Sequence, residues 1–350
     1  MSAPLPIHLI TGLLGSGKTT CLKQLIKQKP NTENWLILIN EFGEVDIDTP
    51  QLQSQKHDNI QLKSIAGGCV CCSAQIGLVA TLQQLLSTKN QFDRIFIEPT
   101  GLGHPAKIVD TLLKTTFPQA LALQKIICLI TPQQLTIERW KKSNVMRDLV
   151  TLADCILLNK TDLAEAEHIN EAKQILQNLY PPKAEIQKTQ FGQIDLKNIL
   201  QSRPVQKFTV LSSSPVDIEF SAEHQQQLNQ EQKAYCSKIP GTLEAYSSQN
   251  RQGQTLSIGW IWEANTQFNR VKLKAIFNEI ASYLLRAKGL LKTGNEWQLL
   301  NWSENQLDLS DIAWRNDSRL EILFMQDIDI PVNFIVDLEN KLTNCIHNIK

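Results

Sequence analysis

The sequence predicts an α/β protein with a mostly parallel sheet flanked by helices, followed by a smaller α+β domain. Apolar runs typical of buried parallel strands recur along residues 1–205, for example at 35–39 and 94–97, and stretches with helical apolar spacing separate them. A glycine-rich turn at 12–17 directly follows the first apolar run, which is where a phosphate-binding loop joins a strand to a helix. These observations predict a P-loop NTPase fold for the first domain.

The length of 350 residues fits two domains. Changes in composition along the chain predict two boundaries, one at each end of a linker between the domains. Residues 206–254 are rich in Ser, Gln and Asn and are predicted to form a polar linker. The P-loop domain is therefore expected at 1–205 and the C-terminal domain at 255–350. The C-terminal pattern predicts a helix packed on an antiparallel sheet. Its predicted elements are strands at 255–262, 296–302 and 320–325 and a helix at 271–285.

Charge and composition exclude several classes of partner. Lys plus Arg and Asp plus Glu number 35 each, and no basic run interleaved with aromatic residues occurs, so nucleic acid is not an expected partner. The sequence has neither a signal-peptide pattern nor an apolar stretch of membrane-spanning length, which predicts a cytoplasmic protein without membrane contact. Most of the seven Trp lie beyond residue 255, where core packing is preferred over a partner-binding face. Five scattered cysteines are expected to be small reduced core residues: Cys21, Cys128, Cys155, Cys236 and Cys345.

The stretch from Gly12 to Thr19 has the spacing of a P-loop. Glycines let several backbone N–H groups point at one phosphate chain, and the helix expected to follow directs its positive end at the same anion. Lys18 places a positive charge near the β- and γ-phosphates, and Thr19 offers a hydroxyl to Mg²⁺. The predicted nucleotide-binding residues here are Gly12, Leu13, Leu14, Gly15, Ser16, Gly17, Lys18, Thr19 and Thr20.

Two further strand ends point to the identity of the nucleotide. The strand at 94–97 ends in Glu98, where a nucleotide hydrolase places the group that senses Mg²⁺ and the γ-phosphate, and Gly101 can offer a backbone N–H to that phosphate. The strand at 155–158 ends in Asn159, Lys160, Thr161 and Asp162. Asp162 can accept hydrogen bonds from the two N–H positions on the guanine edge, which adenine lacks, while Asn159 and Lys160 frame the base and the P-loop. GTP and Mg²⁺ are therefore the expected ligands, with Lys18, Glu98 and Gly101 as catalytic residues and Thr19 and Glu98 at the magnesium.

Three cysteines, Cys69, Cys71 and Cys72, fall within four positions next to two glycines. Helically spaced apolar residues follow them, so they lie at or just before a helix N-terminus, which favours the thiolate form that binds metals. Three thiolates can ligate one soft or borderline ion and leave a fourth position for a carboxylate, a histidine or water. The alternative is a set of small buried residues in a tight glycine-rich turn.

Five segments together resemble the CobW-like metallochaperone GTPases, which are SIMIBI-class P-loop GTPases: 12–19, 40–44, 68–72, 98–101 and 159–162. The Cys-x-Cys-Cys signature is the most specific of them. Segments 286–289 and 319–324 are also similar to the family's C-terminal domain, so the resemblance covers nearly the whole chain. It implies a GTPase that binds a transition metal at the cysteines and couples delivery of the metal to GTP hydrolysis. Zn²⁺ suits three thiolates best, and Co²⁺ and Ni²⁺ stay open.

The resemblance assigns roles to particular residues. Lys18 and Thr19 handle the phosphates and Mg²⁺, Asn159 and Asp162 bind guanine, and the three cysteines ligate the metal. Glu41 matches the switch-region acid and is the candidate fourth ligand. The chain departs from the family in two respects: it lacks a histidine-rich stretch, and its strand end at 129–132 lacks the aspartate that relatives usually have there. His104, just past Gly101, is interpreted as a surface loop residue, with a metal or phosphate contact as the alternative.

The expected mechanism is a two-state switch in which GTP and Mg²⁺ draw 40–48 and 98–101 together and change the geometry of the cysteines between them. Linkage then requires metal affinity and nucleotide affinity to be coupled. Intrinsic turnover is expected to be slow and to be accelerated by a metal-dependent client protein or by a homodimer. Two alternatives stay open: a GTP-dependent regulatory module with redox-sensing or structural cysteines, and a P-loop enzyme that transfers phosphate to a small molecule, which 159–162 disfavours.

Overall fold

The computed structural model describes residues 3–39, 59–65, 71–87, 92–99, 105–183, 185–201, 232–249, 256–294, 296–303, 305–325 and 333–347. For residues 71–74, 232 and 248–249 it describes the backbone alone. The chain divides into two compact units. Described residues up to 201 belong to the first unit and those from 232 onward to the second.

The first unit is built on a parallel sheet, to which the described residues contribute seven strands in the order β3-β2-β4-β1-β5-β6-β7. Every pairing in this sheet is parallel, so the predicted parallel P-loop sheet is confirmed. The strands are β1 (Leu5–Gly12), β2 (Trp35–Ile39), β3 (Ile60–Ser64), β4 (Arg94–Glu98), β5 (Leu121–Ile130), β6 (Cys155–Leu158) and β7 (Glu185–Lys188).

Helices cover both faces of this sheet, as parallel strands require. Their bounds are α1 (Lys18–Lys27), α2 (Cys71–Leu86), α3 (Pro105–Lys114), α4 (Ile137–Lys142), α5 (Asn144–Leu152), α6 (Ala166–Gln177) and α7 (Leu196–Leu200). Helices α1 and α7 bury apolar side chains on one face, whereas α2, α3, α5 and α6 bury theirs on the other. No helix in the described ranges is both long and apolar enough to span a bilayer.

The second unit has an antiparallel sheet, with seven strands from the described residues in the order β13-β12-β11-β14-β10-β9-β8. Helices α8 (Arg270–Glu279) and α9 (Phe334–Cys345) contribute to a core with Trp260, Trp262 and Trp302. Trp297 and Trp314 are buried as well, which confirms core packing as their role. The strands are β8 (Gln232–Ala234), β9 (Thr242–Gln249), β10 (Leu256–Trp262), β11 (Leu284–Thr293), β12 (Glu296–Ser303), β13 (Gln306–Asp311) and β14 (Ser318–Phe324).

Two assignments from the sequence are corrected here. The range 206–254, predicted to be a polar linker, contains strands β8 and β9. Although its own sequence is polar, β9 forms a strand because it pairs with the apolar strand β10. Such a non-local pairing cannot be predicted from local composition. The helix predicted at 271–285 ends at Glu279. Leu284 and Leu285 continue its apolar pattern, but they begin β11, with Leu284 buried and Leu285 exposed on opposite faces.

His8 is a buried polar residue within the first unit's core. Its ring stacks on Phe96 with centroids 4.9 Å apart, and neither ring nitrogen has a hydrogen-bond partner within the described part of the chain. The pKa of His8 is lowered to about 3, mainly by burial and secondly by the nearby charge of Arg94. The imidazole is therefore neutral in the folded chain at neutral pH, and protonating it must destabilise the fold.

Replacing His8 with Leu tests this. The unfolded chain takes up a proton near pH 6.5 and the folded chain does so only near 3. Wild-type stability should therefore fall as pH drops between these values, by up to about 1.4 kcal/mol per pH unit. His8→Leu lacks that loss, so urea unfolding should show its advantage over wild type growing between about pH 7.5 and about pH 5.5. A constant difference between the two proteins would contradict a buried neutral imidazole.

Candidate nucleotide and metal site

Parallel pairing gathers the predicted site residues at one edge of the first sheet. Strand β1 lies between β4 and β5, and Gly12 at its end pairs with Leu129. On the other side of β4, Ile39 at the end of β2 pairs with Glu98. The carboxyl ends of parallel strands are where such sheets bind ligands. The edge therefore combines the P-loop, an acidic strand end and the turn that follows β6.

The P-loop conformation depends on two glycines. Gly12 has φ +142°, and a Cβ there would lie 2.1 Å from the Leu129 carbonyl oxygen. Gly17 has φ +99°, and its Cβ would lie 2.4 Å from Asn159 Nδ2. Both positions combine a backbone conformation that L side chains rarely adopt with a contact that excludes a side chain. The loop can therefore approach β5 and Asn159 only with glycine at these positions.

Three consecutive P-loop carbonyls each accept a hydrogen bond from a different side chain. The Leu14 carbonyl accepts from Gln134 Nε2 at 2.8 Å, the Gly15 carbonyl from Lys160 Nζ at 2.9 Å, and the Ser16 carbonyl from Asn159 Nδ2 at 2.9 Å. The C=O and N–H groups of one peptide point in opposite directions. Holding these carbonyls toward the surrounding side chains therefore turns the corresponding N–H groups away from them, as an anion-binding nest requires.

Helix α1 begins directly after this loop with a cation at its first position. Its N-cap residue, Gly17, provides no side-chain cap. The first N–H groups of a helix and its dipole favour an anion there. Lys18 is buried, and its ammonium group donates to the Leu13 carbonyl at 3.2 Å, across the loop. This arrangement supplies both backbone donors and a positive charge to a phosphate group.

Thr19 and Glu98 come together at the start of α1. The Thr19 hydroxyl donates to Glu98 Oε1 over 3.1 Å, and Glu98 is buried at the end of β4. A hydroxyl and a carboxylate are hard oxygen donors, which is the donor chemistry that Mg²⁺ takes. The residues present at this point therefore fit a nucleotide-bound magnesium ion.

The turn after β6 brings Asn159 and Lys160 to the P-loop. Asn159 is buried, and besides its bond to the Ser16 carbonyl it accepts from the Gly192 N–H at 3.0 Å. Lys160 adopts a left-handed conformation with φ +59°, which aims its side chain at Gly15. Asp162 follows in an exposed 3₁₀ turn, Thr161–Leu163, where its carboxylate is open to a ligand.

Two loops of the site escaped sequence analysis. The first, 131–135, follows β5 and contributes Gln133 and Gln134, which bond to Leu163 and Leu14. The second, 189–192, meets the turn after β6 through Gly192, and it carries Phe191, which is exposed with φ +54°. The sequence offered one signal for these loops, namely their position after predicted parallel strands, because the ends of such strands form the ligand-binding edge of the sheet.

The predicted metal ligands fall largely outside the described residues. Glu41 and Cys69 lie outside them, as do Gly101 and His104. Helix α2 begins at Cys71, and the structure describes only the backbone of Cys71 and Cys72. Among described side chains, no cluster of three or more His, Cys, Asp or Glu residues could hold a metal ion.

The last described residues before Glu41 and Cys69 lie at the ends of neighbouring strands. Ile39, the last described residue before Glu41, accepts a hydrogen bond through its carbonyl from the Ile65 N–H at 2.8 Å. Ile65 is in turn the last described residue before Cys69. Ile39 also pairs with Glu98 in the sheet. Ile39 therefore lies beside Glu98, whereas Ile65 lies one strand further away, on the far side of β2.

Most of the scattered cysteines are buried thiols. Burial and, to a smaller extent, the Glu98 charge raise the pKa of Cys21 to about 12. Burial likewise raises the pKa of Cys128 to about 12 and that of Cys345 to about 11. These thiols stay protonated at neutral pH and pack as small apolar groups. Cys155 is buried as well, whereas Cys236 is exposed, contrary to the expectation of a core residue.

Residues 6–187 match the nucleotide-binding domain of the CobW/HypB/UreG family. The chain belongs to this family. The match begins in β1 and ends in β7, so it spans the sheet that carries the P-loop, Glu98 and the turn after β6.

Relatives with known names extend the match. The zinc chaperone YeiR of Escherichia coli is 30% identical over 331 residues, which cover 92% of this chain and 94% of that protein. The zinc chaperone YjiA of the same organism is 34% identical over 174 residues, or 48% of this chain and 53% of that protein. A crystal structure of zinc-bound YjiA GTPase has a TM-score of 0.44 at 20% identity and covers 98% of this chain and 99% of that one.

The buried Asn159 makes a testable contribution to the site's stability. In Asn159→Asp, an oxygen replaces the Nδ2 group that donates to the Ser16 carbonyl, so two acceptors face each other inside the fold. We expect a loss of about 1–3 kcal/mol in the stability of the first unit, measured by urea unfolding without nucleotide. Asn59→Asp is the matched control, because Asn59 also donates to a backbone carbonyl but is exposed, and it should change stability by less than about 0.5 kcal/mol. Equal effects of the two variants would contradict the role of Asn159.

Proposed function

We propose that this protein binds and hydrolyses GTP and uses the cycle to bind Zn²⁺ and deliver it to a client protein. The observation that carries the proposal is the series of contacts that runs from Thr19 through Glu98 and Ile39 to Ile65. Ile39 and Ile65 are the last described residues before Glu41 and Cys69. A change at the phosphates thereby has a short route to the proposed metal ligands. The relatives named zinc chaperones support zinc as the cargo.

Guanine selection is assigned to Asp162. Its carboxylate accepts from the two N–H positions on the guanine edge, a pair of donors that adenine does not present. Asn159 and Lys160 hold the turn against the P-loop carbonyls, so the base and the phosphates are bound by connected parts of one site. The proposed ligand contacts thus extend from Gly12 to Thr20 and from Asn159 to Asp162.

Phosphate transfer is assigned to charge stabilisation and positioning. Lys18 lies over the P-loop and neutralises charge on the β- and γ-phosphates, and Glu98 orients the attacking water. Thr19 and Glu98 would hold Mg²⁺, which when bound shields the phosphate charge. Gly101, which lies outside the described residues, is proposed to offer its N–H to the γ-phosphate.

Zinc is the substrate of the cycle rather than a fixed component. Cys69, Cys71 and Cys72, with Glu41 as the fourth ligand, give a donor set that suits Zn²⁺. Co²⁺ and Ni²⁺ accept similar donors. The segment toward Glu41 begins beside Glu98, and the segment toward Cys69 begins at the next strand, bonded to Ile39. A rearrangement driven by the γ-phosphate therefore alters the ligand geometry, and zinc affinity depends on the nucleotide state. A metal-dependent client protein, or a second copy of the chain, accelerates turnover by stabilising the competent state.

The experiment that tests this function measures zinc affinity by competition with a chromogenic chelator on reduced protein. With Mg²⁺ present, we expect the affinity to differ between GDP and a non-hydrolysable GTP analogue. We also expect Cys72→Ala to weaken zinc binding by at least about tenfold, the change produced by losing about 1.4 kcal/mol from the metal-ligand interaction. Chelator absorbance during titration gives both results.

Cys236→Ala is the matched control, because Cys236 is an exposed single cysteine in the second unit and should leave zinc affinity unchanged. Weak zinc binding that ignores the nucleotide would refute the metallochaperone and favour the alternative, a GTP-dependent regulatory module with redox-sensing or structural cysteines. That alternative predicts GTP turnover that responds to oxidation.

Glu98→Gln tests the phosphate end of the site. The amide keeps the length of the side chain but loses its charge. We therefore expect GTP binding to depend less on Mg²⁺. We also expect GTP turnover to be about a hundredfold slower, the size of effect seen on loss of a general base. Glu33→Gln is the control, because Glu33 pairs with Arg94 at the opposite end of β4. Turnover of Glu98→Gln at the wild-type rate, measured by phosphate release, would remove Glu98 from the catalytic residues.

A further inference from the structure

We infer that Gln133 and Gln134 are positioning residues that fix the spacing between the P-loop and the turn holding Asp162, and that Gln133 sharpens the choice of guanine. This inference rests on the proposed function, because it presumes that Asp162 binds the base. The pair is called the glutamine bridge below. It follows β5, directly after Thr131 and Pro132.

The two glutamines are adjacent in sequence and reach different loops. Gln134 Nε2 donates to the Leu14 carbonyl of the P-loop at 2.8 Å. Gln133 Nε2 donates to the Leu163 carbonyl at 2.8 Å, directly after Asp162. One short segment therefore contacts both the part of the site that holds phosphates and the part that holds the base.

A rigid turn supports the bridge. Thr131 is buried, and its carbonyl accepts from the Gln134 and Leu135 N–H groups at 3.0 Å each. The Thr131 hydroxyl also accepts from the Gln134 N–H at 3.3 Å, while Gln134 Oε1 accepts from the Thr131 N–H at 3.2 Å. Leu135 is fully buried and fixes the far end of the turn. Thr131 thus caps the turn with its own hydroxyl, and both glutamine side chains extend from a fixed base.

The bridge holds the Asp162 turn from the side that Asn159 and Lys160 do not reach. Those two residues precede Asp162 and bond to the Ser16 and Gly15 carbonyls. Gln133 bonds to the residue that follows Asp162. With contacts on both sides, the backbone that carries the Asp162 carboxylate is held relative to the P-loop. A nucleotide joins its base and phosphates at a fixed distance, so this spacing decides how well Asp162 meets the guanine edge.

Loss of each glutamine should change nucleotide affinity in a different way. Loss of Gln133 frees the Asp162 turn and lowers affinity for guanine more than for hypoxanthine, which lacks the exocyclic amine. Loss of Gln134 frees the P-loop and lowers affinity for both nucleotides alike. Both hydrogen bonds lie at the surface, where each adds little to folding stability, so the variants are expected to fold.

The experiment measures GDP and IDP affinities by displacement of a fluorescent GDP analogue from the full chain. Gln133→Ala should lower the GDP-to-IDP affinity ratio about three- to tenfold, the range of one hydrogen bond, and Gln134→Ala should lower both affinities and keep the ratio. Gln133→Lys retains a donor of similar reach and should restore the ratio. Gln124→Ala is the matched control, since Gln124 also donates to a backbone carbonyl but near the opposite end of β5.

The outcomes separate the two levels of the proposal. If wild type prefers GDP over IDP and Gln133→Ala keeps the wild-type ratio, the glutamine bridge is overturned while guanine recognition stands. If wild type binds GDP and IDP equally, the assignment of Asp162 to guanine fails, and the bridge's part in base choice fails with it. A change of the ratio in Gln124→Ala of the same size as in Gln133→Ala would also overturn the bridge, because the effect would not be local.

Discussion

The site depends on the parallel pairing of β1 with β4 and β5. This pairing sets Gly12 so close to the Leu129 carbonyl that no side chain fits between them, and it brings the strand end at Glu98 to the same edge. Every loop of the site starts from this edge. Because the strands are buried and fully hydrogen-bonded, their ends are fixed points, and short loops can hold side chains at defined distances.

Around that edge, the P-loop is shaped by side chains that bond to its carbonyls. Gln134, Lys160 and Asn159 bond to three carbonyls in succession, and each comes from the end of a neighbouring strand. The loop has few apolar side chains that could pack in a core, so these hydrogen bonds stabilise its conformation instead. The turn that carries Asp162 is consequently linked to the P-loop, since Asn159 and Lys160 belong to that turn.

Burial sets the chemistry of most of the scattered cysteines. Three thiols inside the two cores have raised pKa values and stay protonated at neutral pH: Cys21, Cys128 and Cys345. Cys71 and Cys72 instead occupy the first positions of α2, where a helix N-terminus favours the thiolate form. Ile65, before that cluster, is tied to Ile39 and through it to the strand end at Glu98. The last described residues before Glu41 and Cys69 thus lie on neighbouring strands of one sheet.

The sequence by itself determined the parallel sheet, the P-loop and the family, because apolar runs and glycine spacing are local patterns with a direct physical cause. It also predicted the helix that begins at Cys71. Tertiary structure alone decided three things: the polar strands β8 and β9, the start of β11 at Leu284, and the contacts of Gln133 and Gln134. Each depends on a partner distant in the chain, such as β10 for β9 or Leu14 for Gln134. Pairing and hydrogen bonding across such separations leave no periodic signal in the residues that take part.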